Sequence, residues 1–154
     1  MPFIRLTFLG VLLPAIALIG TAGSSQPTLD SFPRGPIGNE DVWEETLWAA
    51  RDTGFDYLGS ANSARNGDVA ALDRLLQFSR ETDAASALGH GVVLIRLLRE
   101  LDDPSFAAAL EKRPHGEKPL LRGLLRAGLA YGFPETNPDC LSSLFPISYR
   151  ATER

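Results

Sequence analysis

The sequence is poor in the residues on which most reactive and metal-binding sites depend. It contains one cysteine and two histidines among 154 residues. A single cysteine excludes an internal disulfide, so core packing must stabilise the fold. No H-E-x-x-H motif, zinc-ligand spacing, G-x-S-x-G motif, P-loop or dinucleotide fingerprint occurs. We therefore expect no metal and no cofactor, and catalysis has no direct support from any motif.

Basic charge and strand patterns are also scarce. Of the 15 basic residues only Arg5 precedes Asp30, so residues 23–154 carry 14 basic and 19 acidic residues, a net charge of −5. A nucleic-acid interface needs a basic patch, so nucleic acid is not an expected partner. No segment alternates apolar and polar residues between hairpin turns, and strands have no support.

The N-terminal segment has the composition of a signal peptide. Residues 6–19 are apolar apart from a break at Pro14, and residues 20–22 are the small residues Gly-Thr-Ala. We predict that residues 1–22 are a signal peptide and that the protein is exported, to the periplasm or the cell exterior. An uncleaved membrane anchor is the alternative, because the apolar segment approaches the about 17 residues of a short span.

Composition divides the rest of the chain into three parts. Residues 23–40 are rich in proline and glycine and are predicted to be a flexible linker. Residues 41–132 are predicted to be a helical domain, and residues 133–154 a proline-containing tail that packs on it. Apolar residues in the domain recur at helical spacing. The predicted fold is all-α: a small irregular bundle or short solenoid of about five to six short helices.

The clearest local pattern is a helix-turn-helix corner. Asn66-Gly67 is predicted to end one helix in the left-handed conformation, and Asp68 to cap the next. The second helix is predicted to bury four apolar residues on one face: Val69, Leu72, Leu75 and Leu76.

The sequence Ala-Arg-Asn-Gly-Asp-Val-Ala-Ala-Leu-Asp-Arg-Leu-Leu at this corner resembles the core of ankyrin repeats. The likeness covers residues 56–80, and the paired short helices are also similar to those of HEAT-type and tetratricopeptide-type repeats. Weaker copies at Gly89 and Gly116 follow at intervals of 22 and 27 residues, whereas ankyrin units recur at about 33. The resemblance implies stacked helices and a surface that binds another protein.

Residues 84–101 are predicted to contain the central helix, since their second half is apolar on almost every side. Gly89 and Gly91 are expected to break or kink it. His90 between them is expected in a turn, as a capping or surface residue; a base or metal ligand is the alternative. Asp103 is predicted to cap the following helix.

Both tryptophans belong to the first predicted helix, which is expected to begin at Asp41. The favoured interpretation is that Trp43 and Trp48 fasten this helix to the core, and the alternative is a surface for ligand stacking. Neighbouring carboxylates are the one grouping that suits glycoside hydrolysis, although a solvated helix face is favoured. These carboxylates are Glu44, Glu45, Asp52 and Asp56.

Cys140 and His115 complete the list of reactive side chains. Asn137-Pro138-Asp139 before the cysteine suits the first turn of a short helix, where a thiolate is stabilised. A buried, apolar role is nevertheless preferred for Cys140, with an intermolecular disulfide as a third option, and His115 is expected in a solvated loop. The candidate partner or ligand surface therefore contains Trp43, Trp48, His90 and Cys140.

The hypothesis that follows is a small exported helical protein with a non-catalytic protein-binding or scaffolding role. It predicts an exposed apolar groove bordered by the helices of residues 68–80 and 84–101. A cell-envelope hydrolase that uses the carboxylates near Trp43 and Trp48 is one alternative, and a membrane-tethered accessory subunit is another. Another protein is the expected partner, and a membrane only if residues 1–22 are retained. The oligomeric state is left open.

Overall fold

The structure, a computed structural model, describes residues 33–154. Within this range every regular element is helical, so the all-α prediction is confirmed for it. Its α-helices are α1 (Glu44–Asp52), α2 (Tyr57–Arg65), α3 (Val69–Phe78), α4 (Ala84–Leu101), α5 (Asp103–Glu111), α6 (Lys118–Gly132), α7 (Leu141–Leu144) and α8 (Pro146–Ala151). The predicted signal peptide at residues 1–22 lies outside the described residues.

The helices of residues 33–154 are more numerous than the five to six predicted, because the tail contains both α7 and α8. Short 3-10 turns join several of them, including Ser79–Glu81 after α3 and Pro138–Cys140 before α7. None of the helices between residues 33 and 154 has the length and apolar character needed to cross a membrane.

The fold is built around α4, which contacts α1, α2, α5 and α6. All residues from 89 to 98 are buried. The predicted break at the glycines is wrong, since α4 runs without interruption through them. A methyl group at Gly91 would overlap the Leu124 carbonyl of α6, and one at Gly128 would overlap the Gly91 carbonyl. These glycines therefore let two helix backbones approach closely, which outweighs their weak helix propensity.

The corner between α2 and α3 forms largely as predicted. Gly67 has a φ of +93°, and the Asp68 carboxylate accepts hydrogen bonds from the amides of Ala70 at 2.9 Å and Ala71 at 3.1 Å. Three of the four predicted core residues are buried: Leu72, Leu75 and Leu76. The prediction is wrong for Val69, which is 57% exposed because it lies between two surface grooves.

The C-terminal tail is attached through Asp103, which has a different role from the predicted one. Asp102, with a φ of +73°, caps α5 instead by accepting from the Ser105 amide at 2.8 Å. The Asp103 carboxylate accepts from the amides of Ile147 at 2.8 Å and Ser148 at 2.7 Å, the first turn of α8. A residue of α5 thus supplies the N-terminal cap of α8.

The first helix begins later than predicted. Asp41 lies in a 3-10 turn before α1, where its carboxylate accepts from the Gly38 amide at 2.9 Å and pairs with Arg96 of α4 at 2.7 Å. Ile37, in the predicted linker, is 3% exposed, and its backbone exchanges two hydrogen bonds of 2.9 Å with the Asn62 side chain. The end of the predicted linker therefore packs on α2.

Candidate functional site

An open groove of about 610 Å³ lies where the turn after α1 meets the end of α3. Its lining residues are Thr53, Gly54, Phe55, Arg74, Gln77, Phe78 and Glu81. We call it the aromatic groove. It borders α3, as the binding hypothesis expects, but its other wall is the α1–α2 turn and not the buried α4.

The α1–α2 turn is shaped by local hydrogen bonds. The Thr53 hydroxyl donates to the carbonyls of Ala49 and Ala50 at 3.0 Å, and the Phe55 amide donates to the Ala50 carbonyl at 2.7 Å. Gly54 between them has a φ of +71°, a conformation that favours glycine. The chain therefore reverses within a few residues, and Phe55 comes to lie against the last turn of α3.

Two phenylalanines form the floor of the groove. The rings of Phe55 and Phe78 are stacked with centroids 4.8 Å apart and planes 13° apart. The Tyr57 ring meets both of them edge-on, at 5.4 Å from Phe78 and 6.1 Å from Phe55. Offset and edge-to-face aromatic pairs stabilise such clusters beyond the area they bury.

The rim of the aromatic groove is polar. Arg74, Gln77 and Glu81 are all exposed. Gln77 donates a hydrogen bond to Asp73 at 2.8 Å. The side chains of Arg74 and Glu81, in contrast, form no hydrogen bond or ion pair with any residue in 33–154. The rim thus presents one positive and one negative side chain to whatever occupies the groove.

Behind the aromatic floor lies a buried polar group, the buried trio of Tyr57, Ser79 and His90. His90 Nδ1 forms a hydrogen bond of 2.8 Å with Tyr57 Oη, and His90 Nε2 forms one of 3.0 Å with Ser79 Oγ. The imidazole also meets Phe78 edge-on at 5.4 Å. The prediction of a surface or capping position for His90 is therefore wrong, because α4 is continuous and carries the ring into the interior.

Burial sets the protonation state of this group. Desolvation lowers the pKa of His90 to about 3, although a hydrogen bond with the Leu75 backbone acts in the opposite direction. Burial also raises the pKa of Tyr57 well above its ordinary value. Both residues are neutral at pH 7. A neutral imidazole has one donor and one acceptor nitrogen, and a hydroxyl serves either, so both ring nitrogens have a hydrogen-bond partner.

Ser79 is hydrogen-bonded to His90, and His90 to Tyr57. A serine nucleophile is activated by a chain of hydrogen bonds of this kind. A substrate cannot reach these side chains in this conformation, because Ser79 is 1%, His90 0% and Tyr57 3% exposed. A substrate carbonyl has no path to the hydroxyl while the aromatic floor covers it. The trio instead joins α2, α4 and the 3-10 turn Ser79–Glu81.

The other predicted site residues lie outside the aromatic groove. Trp43 is half-buried, with its ring edge-on to Tyr131 at 6.3 Å, whereas Trp48 is 46% exposed. Trp48 therefore does not fasten α1 to the core as expected. Cys140 is half-buried at the end of the 3-10 turn Pro138–Cys140, and within residues 33–154 no hydrogen bond joins it to either histidine.

The four carboxylates near the tryptophans are exposed. Asp56 caps α2 by accepting from the Gly59 amide at 3.0 Å, and Asp52 lies 3.9 Å from Arg51. Nothing in their surroundings favours the paired acid and base of a hydrolase. Among residues 33–154, moreover, no three or more His, Cys, Asp or Glu side chains are grouped to hold a metal ion. His115 is exposed, and its Nδ1 is 2.7 Å from the Arg154 carbonyl oxygen.

The sequence interpretation missed Phe55, Tyr57 and Phe78, the residues that define the groove floor. For Phe78 a signal exists, because it continues the stripe of Ala71 and Leu75 at helical spacing. For Phe55 the signal is weaker: an aromatic residue after Gly54, at a turn between helices.

No protein-family model matches this sequence, and no match is found among curated proteins or solved structures.

Proposed function

We propose that this protein is a small exported helical protein with a non-catalytic role, and that it binds a segment of another protein in the aromatic groove. The observation that supports the binding role is the groove itself. It combines a stacked phenylalanine floor with an exposed polar rim. An apolar centre surrounded by polar residues is the usual arrangement of a protein-binding surface.

The rim defines the chemistry of the partner. Arg74 and Glu81 have no partner among the described residues, so a bound segment is free to pair with both. We propose an aromatic or large aliphatic side chain on the Phe55–Phe78 floor, with an acidic residue opposite Arg74 and a basic residue opposite Glu81. Charge complementarity of this kind selects partners more than it adds affinity.

A random-peptide display library, screened at pH 7 on the full-length chain, tests this role. We expect the enriched peptides to share one apolar residue flanked by an acidic and a basic residue. Their binding should perturb the amide NMR signals of Phe55, Gln77 and Phe78. Exposed rim charges contribute modestly, so Arg74→Glu and Glu81→Lys should each weaken binding about threefold.

A charge-swapped pair provides the matched control. The double variant Arg74→Glu/Glu81→Lys should prefer peptides in which the acidic and basic residues have exchanged places. Glu45→Lys, an exposed change outside the groove, should leave binding unchanged. The proposal is overturned if no peptide is enriched, or if the enriched peptides bind all variants equally and perturb another surface.

Export is the second part of the proposal, and the composition of residues 1–22 supports it. Intact-mass spectrometry of the protein from its native envelope fraction tests it. A mature chain that begins after Ala22 or Gly23 agrees with cleavage and release. A chain that retains residue 1 and stays with the membrane favours the tethered accessory subunit instead.

We also propose that the helices form an irregular bundle instead of a short solenoid. The contacts of α4 with α1, α2, α5 and α6 support this, because each unit of a solenoid mainly contacts its neighbours in sequence.

A further inference from the structure

The buried trio connects the floor of the aromatic groove to the centre of the fold. Phe78 belongs to the floor and contacts the His90 ring, while Tyr57 contacts both phenylalanines and bonds to His90. Ser79, the residue after Phe78, bonds to the other ring nitrogen. The imidazole of His90 therefore links the floor of the aromatic groove to α4.

No charged group compensates a proton on His90. The Tyr57 hydroxyl is the only titratable group that forms a hydrogen bond with the ring among the described residues. The ionisable side chains nearest to His90 in sequence and on α3 are exposed or paired elsewhere. Arg74 and Glu81 are exposed. Asp73 pairs with Arg113, Arg80 with Glu117 and Arg96 with Asp41.

The helices on the other sides of α4 do not supply a counter-ion either. Thr46 of α1 and Trp43, the residue before that helix, face Gly89. The charged residues of α1 are exposed: Glu44, Glu45, Arg51 and Asp52. From α6, Leu124 and Gly128 face Gly91, while Arg122 is half-exposed and Arg126 exposed. Arg65, at the far end of α2, forms no hydrogen bond with the ring.

We propose that His90 is an acid-sensitive latch for the aromatic groove: protonation of the imidazole separates Tyr57 and Phe78 from α4 and disperses the groove floor. A buried, unpaired imidazolium is costly, so it is accommodated by letting water reach the ring. The groove as a binding site rests on the proposed function, whereas the latch itself is a property of the fold.

The direction of the pH effect follows from the two protonation states. In the closed state the pKa of His90 is about 3, and a hydrated ring has its ordinary value of 6.5. The open state therefore binds more protons between these values. The equilibrium constant for opening should rise about tenfold for each pH unit below about pH 6, and level off near pH 3.

The first test uses the unmutated full-length chain with labelled histidines, and NMR spectra from pH 7 to pH 3. We expect the neutral His90 signals to lose intensity while separate signals of a protonated ring appear. The amides of α5 and α6 should keep their native shifts, because opening is confined to α2, the end of α3 and the 3-10 turn Ser79–Glu81. The signal intensity of exposed His115 is the internal reference for the loss of the His90 signals.

Near-UV circular dichroism of variants provides the matched comparison. His90→Gln keeps a hydrogen-bonding side chain that does not titrate, so its aromatic signal should stay flat over the range in which the unmutated chain changes. Tyr57→Phe removes one hydrogen bond from the closed state. It should move the transition to higher pH and leave its steepness unchanged.

Several outcomes would overturn the latch. A smooth His90 titration near its ordinary pKa means that the ring is already hydrated. Loss of the α5 and α6 amides together with the His90 signals means global unfolding. Equal acid transitions in the unmutated chain and His90→Gln assign the effect to other groups. The NMR experiment decides the matter even if His90→Gln fails to fold.

The display-selected peptides separate this inference from the binding role. Between pH 7 and pH 5, where carboxylates stay ionised, a peptide that binds the closed floor should lose affinity for the unmutated chain but not for His90→Gln. It should also move the opening transition to lower pH, since the two equilibria are linked. If no peptide binds at pH 7, the binding role fails, and the NMR result still stands for the latch.

Discussion

Individual side chains behind the aromatic groove derive their chemistry from burial. Burial widens the pH range over which His90 and Tyr57 are both neutral, because it lowers the pKa of His90 to about 3 and raises the pKa of Tyr57 well above its ordinary value. Their mutual hydrogen bond of 2.8 Å satisfies polar atoms that have no access to water. The free energies of unfolding of variants at His90 and at Tyr57 should therefore measure the contribution of each residue.

The pH dependence of stability is the first expectation at this scale. The pKa of His90 is about 3 in the folded chain and close to 6.5 when hydrated, so the unfolded chain binds the additional proton between those values. Stability should be unaffected by His90 above pH 6.5 and should fall by about 1.4 kcal/mol per pH unit below it, down to the pH at which the latch opens. Urea unfolding at pH 7 and pH 5 measures this fall.

Two substitutions isolate the contribution of His90. Replacement His90→Gln should remove about 2 kcal/mol of the difference between pH 7 and pH 5, whereas His115→Gln, at an exposed site, should leave the difference intact. If both replacements leave it intact, the acid sensitivity belongs to the carboxylates.

Removal of the Tyr57 hydroxyl is the second expectation. Tyr57→Phe keeps the ring contacts but leaves His90 Nδ1 without a partner, so we expect a loss of about 1–2 kcal/mol at pH 7. Chemical denaturation measures it. Tyr131→Phe, at a side chain that is 58% exposed, is the control and should change stability by less than about 0.5 kcal/mol. Equal effects would contradict the proposed importance of the buried hydrogen bond.

At the scale of whole elements, the contact between α4 and α6 depends on two glycines. Gly91→Ala or Gly128→Ala would place a methyl group against the opposite backbone. The helices must then move apart, at a cost of about 1–3 kcal/mol. Thermal or urea unfolding should show this loss for each variant.

Gly123 provides the matched control on α6, since a methyl group there meets no atom within 4 Å. Gly123→Ala should stabilise the protein by about 0.5–1 kcal/mol, because alanine is the better helix former. Similar losses for all three substitutions would mean that flexibility, and not close packing, determines the effect.

These elements also show what a sequence can and cannot predict. The Gly67 turn and the Asp68 cap were predictable because both depend on residues within a few positions of each other. The continuity of α4 was not, because glycines weaken a helix in isolation and the compensating contact comes from α6. The same limit applies to α8, whose cap is on α5.

The candidate site was predicted less well than the fold for the same reason. The groove floor and the buried trio each combine residues from different elements, so helical periodicity indicates their burial but not their neighbours. The pattern predicted an amphipathic α3, yet it gave no sign that Phe55 would stack on Phe78. Likewise, the glycines on both sides of His90 predicted a turn. The sequence does not show that other helices pack against these glycines and keep α4 continuous.

At the scale of the whole molecule, a cluster of charges joins α3 to the segment between α5 and α6. Arg113 donates to Glu117 at 2.7 and 2.9 Å and to Asp73 at 2.8 Å, and Arg80 also contacts Glu117. Arg113 and Glu117 are buried. Buried ions of this kind are expensive to separate, because the remaining charge is left without water.

The cluster gives the fourth expectation. Arg113→Met should lower the free energy of unfolding by about 3 kcal/mol, whereas Arg113→Met/Glu117→Met should recover a large part of the loss by removing both charges. Arg126→Met, which breaks an exposed pair with Asp139, should cost less than about 1 kcal/mol. A double variant no more stable than the single one would contradict an electrostatic origin.

The cap that Asp103 provides for α8 has a consequence for the order in which the protein matures. During synthesis the α5 carboxylate emerges well before the amides of Ile147 and Ser148 that it binds. A growing chain therefore cannot form this cap until 44 and 45 further residues have been made. Until then the face of α5 that α8 will cover stays exposed to solvent.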